Sequence, residues 1–210
     1  MPLIRMATPE DGAAFAEVYR PAVVGSPISF EIEPPDGAEM ARRVAVAVAR
    51  FPWLAFEENG VALGYAYAGT HRARPAYQWS AEVSAYVHEK ARRRGVARAL
   101  YTSLFAIIRH LGYCNAYAGI TLPNVASVGL HESLGFRPVG VFHDVGYKLG
   151  RWHDVGWWER PLGERVAHPE PPRVIGDLLG TDALDAAIAD GQRLLHARGE
   201  LPRSFHTDKI

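Results

Sequence analysis

The sequence predicts an α/β (α+β) fold in which a mixed, mostly antiparallel sheet is flanked by helices. Three observations predict it. Strand-like and helix-like patterns are interspersed along residues 1–162, an Asn-Gly pair at 59–60 separates two apolar runs, and an alternating segment at 76–89 leads into an arginine-glycine run that opens a helix. A hairpin in the middle of mixed strands and helices favours a mixed sheet with helices packed on it.

Capping residues, turn residues and helix stops in the sequence predict where the helices and strands begin and end. Thr8 and Pro9 suit the start of a helix, and Asn59-Gly60 supplies the positive φ angles that a two-residue hairpin turn needs. Gly112 is a plausible helix stop. In chain order, the sequence predicts a strand at 2–6, helices at 8–23 and 37–51, a hairpin at 53–70, a strand within 76–89, a helix at 96–113, a strand at 114–121, a short helix at 123–136 and one or two strands within 137–162.

The strand within 76–89 alternates with a period of two, so its side chains divide between two faces. Glu82 lies on the polar face. The apolar face carries Trp79, Ala81, Val83, Ala85 and Val87, and the polar face carries Ser80, Glu82, Ser84 and Tyr86.

The character of the chain changes after Leu162. We expect residues 1–163 to form one domain and residues 164–210 to be an appendage. The appendage begins with a Pro-rich linker, continues with a solitary amphipathic helix at 181–198, and ends in a loose tail. Packing on a partner subunit, covering the site and moving freely all remain open for this helix.

Composition excludes some classes of protein. The 210 residues include 23 basic and 23 acidic side chains, which argues against a globally basic nucleic-acid binder. The single cysteine, Cys114, allows no intramolecular disulfide. No secretory signal and no apolar run of membrane-spanning length is visible, so no membrane contact and a cytoplasmic location are expected.

The run "KARRRGVARAL" at 90–100 contains the pattern Arg92-x-x-Gly95-x-Ala97 between a strand and a helix. Helix N-termini carry free N–H groups and a positive dipole, which together hold phosphate. Gly95 allows close approach, and the arginines at 92, 93, 94 and 98 add positive charge. A solvated basic helix start is the simpler interpretation of this pattern when it stands alone.

The wider context resembles the GNAT N-acetyltransferases. The motifs "FPWLAFEENGVALGYAYAG", "RARPAYQWSAEVSAYV", "LYTSLF", "LPNVASVGLHESLGF" and "GYKLGRWHDVGWWER" are similar to the phosphinothricin acetyltransferase branch over roughly residues 2–160. The resemblance implies a GNAT fold, in which acetyl-CoA lies between two splayed parallel central strands, here 79–87 and 114–121.

The resemblance also implies where the acetyl-CoA co-substrate binds. The pantetheine arm would pair with the backbone of Ala85, Tyr86 and Val87. The diphosphate would lie on the N–H groups of residues 93–98, which are Arg93, Arg94, Gly95, Val96, Ala97 and Arg98. Asn124 would bond the pantetheine, although an N-cap role for Asn124 is equally open.

Acetyl transfer to an amine requires a base, a stabilised thioester oxygen and a proton for the departing sulfur. By the family motif, Glu82 is the candidate base, acting directly or through a water. His131 stands where many family members carry a tyrosine acid, and a structural histidine is the alternative. Family geometry alone places the oxyanion donor at the backbone N–H of Val87.

The expected acceptor is a small amino-acid-like amine of the phosphinothricin, methionine sulfone or methionine sulfoximine type. An acceptor carboxylate favours arginine, so Arg72 and Arg74 are candidates, with Phe30, Tyr77 and Trp79 as pocket walls. Ordinary loop surface or core packing is the alternative for each. His143, His153 and Asp154 lack a recognised ligand spacing, so no metal is expected.

Other interpretations of the function remain open. The acceptor could be another small amine or a peptide N-terminus, or the chain could be a non-catalytic CoA-binding module. Glu82 and His131 argue against the non-catalytic module, and the zero net charge argues against a nucleic-acid partner. By resemblance, a homodimer is expected.

Overall fold

The computed structural model describes the fold of residues 1–199, with side chains up to residue 195. The predicted fold class is confirmed, and the stretch 137–162 forms two strands. The strands are β1 (Leu3–Met6), β2 (Trp53–Glu58), β3 (Val61–Thr70), β4 (Ser80–Val87), β5 (Asn115–Leu122), β6 (Arg137–Lys148) and β7 (Arg151–Pro161); the helices are α1 (Gly12–Val24), α2 (Gly37–Ala47), α3 (Val96–His110), α4 (Val125–Ser133) and α5 (Asp182–Gly199).

The strands form one sheet in the order β1-β2-β3-β4-β5-β7-β6. Its neighbours pair antiparallel except β4 and β5, which are parallel. The parallel pairing joins Ser80–Glu82 to Asn115–Tyr117 and stops there, although both strands continue. The two central strands therefore splay apart, as predicted.

The alternation in β4 sends its side chains to two different cores. Ala81 and Val83 are buried in the cluster that includes the apolar face of α3. Tyr86 packs on the other face of the sheet, where its ring meets that of Tyr19 on α1 at 4.8 Å. Since successive side chains of a strand alternate, Glu82 lies on the same face as Tyr86.

The segment after residue 162 packs against the rest of the chain. The Arg173 N–H donates to the Leu111 carbonyl at 2.8 Å, and Ile175 and Leu178 are buried in the main core. Helix α5 lies against α3, so the helix predicted as solitary has a partner within the chain. Residues 200–210 of the predicted loose tail lie outside the described residues.

Within residues 1–199, no helix combines the length and the apolar character needed to cross a bilayer.

Candidate active site

The gap between the splayed strands is a narrow crevice of about 70 Å³. One wall is the second half of β4, the other is the second half of β5, and α3 and α4 contribute side chains to it. The lining residues are Ile28, Val83, Ser84, Ala85, Tyr86, Tyr101, Ala118, Gly119, Ile120, Thr121, Asn124, Ser127 and His131. The crevice thus brings together the predicted residues 85, 86, 124 and 131.

The backbone of β4 offers hydrogen-bonding groups to this crevice. The His88 N–H donates to the Leu63 carbonyl on β3 at 2.9 Å. Because backbone groups point alternately to the two sides of a strand, those of Val87 and Ala85 face the crevice, whereas those of Tyr86 face β3. The predicted backbone contact at Tyr86 is therefore directed the other way. The Val87 carbonyl already accepts from Arg92 Nε at 3.1 Å.

The first turn of α3 has N–H groups without a side-chain cap. Gly95 precedes it with φ 85°, a left-handed conformation that side chains other than glycine's adopt at a cost. A cavity of about 480 Å³ opens beside this turn. Its lining includes Val87, Arg92, Arg93, Gly95, Val96, Ala97 and Arg98, together with Ala126, Gly129, Leu130 and Ser133 of α4. This arrangement is suited to an anion.

The four arginines of the run differ in their contacts. The Arg94 guanidinium pairs with the Glu58 carboxylate, with Nη1 at 2.9 Å from Oε2, so its charge is compensated. Arg98 Nη2 donates to Ser133 Oγ at 2.6 Å and links α3 to α4. Arg93, at φ 60°, makes no side-chain hydrogen bond with any residue of the described chain. The charge available to a phosphate is therefore smaller than four arginines suggest.

Asn124 caps α4. Its Oδ1 accepts from the Ser127 N–H at 3.1 Å, while its amide nitrogen has no hydrogen bond within residues 1–199. Because the side chain lines the crevice, that amide remains available to a ligand. The capping role and the predicted ligand role are compatible.

Glu82 is partly buried on the polar face of β4. Burial raises the pKa of its carboxyl, and the positive charge of Arg72 partly opposes this rise. The nearest basic atom is His71 Nδ1, at 4.0 Å from Glu82 Oε2. A carboxylate with a raised pKa is a better proton acceptor than a fully solvated one.

His131 is buried, and both of its ring nitrogens have partners. Nδ1 lies 2.8 Å from the Ser127 carbonyl, which can only accept, so Nδ1 carries the proton. Nε2, at 3.2 Å from Tyr101 Oη, then accepts from the tyrosine hydroxyl. Burial lowers the pKa of His131, which favours this neutral form. Tyr101 and His131 thus present a hydrogen-bonded pair to the crevice.

The residues predicted for the acceptor are only partly brought together. Arg72, Arg74 and Tyr77 line a cavity of about 230 Å³ at the end of β3. Arg72 also lies over the Trp157 ring, with its Cζ 5.6 Å from the ring centroid. The Trp79 indole instead donates to the Glu170 carbonyl of the linker at 2.8 Å, which takes it away from this cavity.

Phe30 packs against the β6–β7 hairpin. A Cβ added at Gly146 would lie 2.1 Å from the Phe30 ring, and the His153 ring is 6.3 Å away. Ile28, two residues earlier, lines the crevice itself. The loop that carries Phe30 therefore borders the site, while Phe30 anchors this loop to the hairpin.

The three residues considered for a metal do not form a cluster. His143 Nδ1 contacts Asp154 Oδ2 at 3.0 Å, whereas His153 Nε2 contacts the Lys148 carbonyl at 2.9 Å. Within the described residues no group of three potential ligands converges. The absence of a metal stays a prediction.

Comparison with known proteins identifies the family. The model of the acetyltransferase (GNAT) domain matches residues 4–157. This chain belongs to the GNAT acetyltransferase family. As a GNAT protein it is an acyltransferase, and its splayed strands are those of the family fold.

Several relatives of this GNAT enzyme are named as acetyltransferases of particular small molecules. It is 40% identical over 172 residues to the phosphinothricin N-acetyltransferase of Streptomyces viridochromogenes, covering 82% of this chain and 93% of the relative. It is 35% identical to the L-methionine sulfoximine/L-methionine sulfone acetyltransferase of Salmonella typhimurium, covering 78% and 96%. A phosphinothricin acetyltransferase from Sinorhizobium meliloti, solved in complex with acetyl-CoA, matches with a TM-score of 0.76 and 35% identity, covering 81% and 92%.

Sequence reasoning missed part of the site of this GNAT enzyme. His71 lies 4.0 Å from Glu82, and its ring packs against Tyr117 and Trp157, which come from two other segments. In the pairing of β3 with β4, Gly69 lies opposite Glu82. His71 comes two residues after Gly69 and therefore lies near Glu82. No short sequence pattern predicts that the His71 ring stacks on Tyr117.

Proposed function

We propose that this GNAT enzyme transfers the acetyl group of acetyl-CoA to the amine of a small amino-acid-like acceptor. The observation that carries the proposal is the crevice that opens where β4 and β5 stop pairing, together with the uncapped start of α3, which shares a cavity with Val87 at the end of β4. The relatives named for phosphinothricin and for methionine sulfoximine and sulfone support an acceptor with an amino-acid end and a second polar end.

The residues present fit acetyl-CoA. The backbone groups of Ala85 in the crevice and of Val87 in the cavity beside α3 match the amides of a pantetheine arm, and the free amide nitrogen of Asn124 adds a donor. The N–H groups at residues 96–98 would hold the diphosphate, with Arg92, Arg93 and Arg98 adding positive charge that no described carboxylate compensates. When bound, acetyl-CoA supplies an activated acetyl thioester.

Residues of the crevice and of the neighbouring parts of β4 divide the catalytic roles between them. Glu82 takes a proton from the acceptor ammonium, so that the amine can form the C–N bond as the C–S bond breaks. The Val87 N–H stabilises the negative charge on the thioester oxygen. The Tyr101 hydroxyl, which His131 Nε2 orients, protonates the departing sulfur and then takes up the second proton that the nitrogen loses as the amide forms.

Transfer is direct, without an acetylated enzyme. The single cysteine of the sequence, Cys114, is not among the residues that line the crevice. Its sulfur lies instead 3.9 Å from the Gly112 carbonyl. The crevice lining therefore offers no thiol that could carry the acetyl group, and the amine attacks the thioester itself.

Arginine recognises the acceptor. Arg72, whose charge acts on Glu82, offers a guanidinium fork to the acceptor carboxylate, and Arg74 lines the same cavity as Arg72. Tyr77 lines that cavity, and the loop anchored by Phe30 closes the crevice side. We infer that the two arginines bind the carboxylate of the amino acid while Glu82 meets its amine.

A homodimer and a cytoplasmic location also belong to this proposal. Strand β6 is at an edge of the sheet and exposes a row of apolar side chains. These are Val139, Val141, Phe142, Val145 and Tyr147, with 41% to 58% of each residue exposed. A second copy of the chain would cover this surface.

Thiol release from acetyl-CoA tests the proposed function. The acceptors should include phosphinothricin, methionine sulfone, methionine sulfoximine, the proteinogenic amino acids and a short peptide with a free N-terminus. Thiol release with the first three acceptors supports the proposal. Release only with the peptide would show that the acceptor is a peptide N-terminus and not a small amino acid. Binding of acetyl-CoA without release for any acceptor would identify a non-catalytic module.

A further inference from the structure

His71 follows β3 directly and reaches over to β5. Its ring stacks on Tyr117 with the centroids 4.2 Å apart and the planes 13° from parallel. The rings of Trp157 and Tyr77 meet it edge-on, at 5.7 Å and 6.2 Å. Only 11% of the His71 side chain is exposed. The ring is therefore held on several sides and has little freedom to move.

The Nδ1 atom of this ring is buried and has no hydrogen bond in the described part of the chain. Leaving a buried polar group unpaired costs about 1–3 kcal/mol, so such a group in a folded protein calls for an explanation. The nearest charged group is the Glu82 carboxylate, with Oε2 4.0 Å away. That carboxylate likewise makes no hydrogen bond to residues 1–199.

The 4.0 Å separation defines how the two groups can meet. It exceeds the 2.7–3.2 Å of a hydrogen bond, and it is shorter than the roughly 4.5–5.5 Å that a bridging water with two hydrogen bonds requires. A small rotation of Glu82 closes the gap. Glu82 is free to make it, because 40% of its side chain is exposed while the His71 ring is fixed.

We propose that His71 is a positioning residue for Glu82: its Nδ1–H donates to the carboxylate and fixes which oxygen faces the acceptor amine. This inference rests on the proposed role of Glu82 as the base. His71 takes no part in the bonds that form and break, and its proposed role is to orient the base. The enclosed ring thereby orients a carboxylate whose side chain is 40% exposed.

The charges around Glu82 agree with a neutral donor. Four side chains that titrate or carry charge face it: His71, Arg72, Tyr67 of β3 and Tyr117 of β5, whose hydroxyl is 3.4 Å from Glu159. Burial and the charge of Arg72 lower the pKa of His71, so it is neutral at neutral pH. A neutral Nδ1–H supports the carboxylate through one hydrogen bond and leaves its charge uncompensated and basic.

Loss of this donor has a defined consequence. A hydrogen bond to the ionised carboxylate favours that form, so without the bond the pKa of Glu82 rises further. The base is active when ionised, and kcat/KM falls as the pH drops through this pKa. The acidic limb of the pH profile therefore moves to higher pH when the donor is removed.

Two variants separate the donor from the ring. His71→Phe keeps a ring for Tyr117 and loses Nδ1–H, whereas His71→Asn keeps an N–H near the same position and loses the stack. We expect His71→Phe to move the acidic limb of kcat/KM upward by about one pH unit, with about a tenfold loss of activity below it. His71→Asn should keep the wild-type limb, and KM for acetyl-CoA should change in neither.

A wild-type limb in His71→Phe would overturn the inference. An equal shift in both variants would also overturn it, because the effect would then come from the stack. An NMR titration of the Glu82 carboxyl, assigned with Glu82→Gln, follows the same pKa without any acceptor. A raised carboxyl pKa in His71→Phe supports the inference even if the proposed acetyl transfer fails, and an unchanged pKa contradicts it.

Discussion

At the scale of single residues, the chemistry depends on Glu82. Glu82→Gln keeps the size of the side chain and removes its basicity. We expect kcat to fall about 10²- to 10⁴-fold, the usual contribution of a general base, while acetyl-CoA still binds because the crevice is unchanged. Steady-state kinetics and calorimetric titration measure both. Glu164→Gln, an exposed residue of the linker, is the matched control. Unchanged turnover in Glu82→Gln would remove Glu82 from the mechanism.

Arg72 affects the same carboxylate through its charge. It lowers the pKa of Glu82 against the effect of burial, so Arg72→Gln should raise that pKa. Since the ionised base is the active form, the acidic limb of kcat/KM should move to higher pH, and KM for the acceptor should increase. Arg74→Gln, in the same cavity, should change only KM. Equal pH profiles for wild type and Arg72→Gln would refute the coupling.

At the scale of elements, the turn before α3 is tested by Gly95→Trp. The bulky side chain would enter the cavity beside α3, and the left-handed φ of 85° is unfavourable for it. We expect acetyl-CoA binding to be lost. Gly150→Trp, at φ 78° with no neighbour within 4 Å of its position, carries the same backbone cost outside the site. Retained affinity in Gly95→Trp would contradict the phosphate role of this turn.

The contact between α5 and α3 is tested at Gly191. A Cβ there would lie 2.2 Å from the Ala99 carbonyl oxygen and 2.3 Å from Ser103 Oγ, so the helices would have to separate. We expect Gly191→Ala to lower the free energy of unfolding by about 1–3 kcal/mol, despite alanine's better helix propensity. Urea denaturation measures it, with Gly163→Ala as the control, since a Cβ there would meet only Arg109 Cγ, at 4.0 Å. Unaltered stability would mean that α5 does not pack as described.

Elements defined by local signals could be predicted from the sequence. Asn59 and Gly60 have φ 54° and 76°, as the predicted hairpin turn requires, and the period-two pattern of β4 placed Glu82 on the correct face. Contacts between distant segments could not be predicted. The pairing of Arg94 with Glu58, the stack of His71 on Tyr117 and the docking of α5 through Gly191 each depend on three-dimensional proximity that no short pattern encodes.

At the scale of the whole molecule, the exposed apolar face of β6 predicts self-association. Val145→Asp places a charge on this face, and we expect it to shift the protein from dimer to monomer in sedimentation experiments. Val166→Asp, an equally exposed change in the linker, should leave the dimer intact. A wild-type protein that is monomeric at all accessible concentrations would contradict the prediction.

The proposed function depends on one feature of the fold, the separation of β4 from β5 after three residue pairs. A crystal structure with bound coenzyme A tests this most directly. We expect the pantetheine between these strands, bonded to Ala85 and Val87, and the diphosphate within hydrogen-bonding distance of the N–H groups of residues 96–98. Coenzyme A bound elsewhere, with the crevice empty, would contradict it.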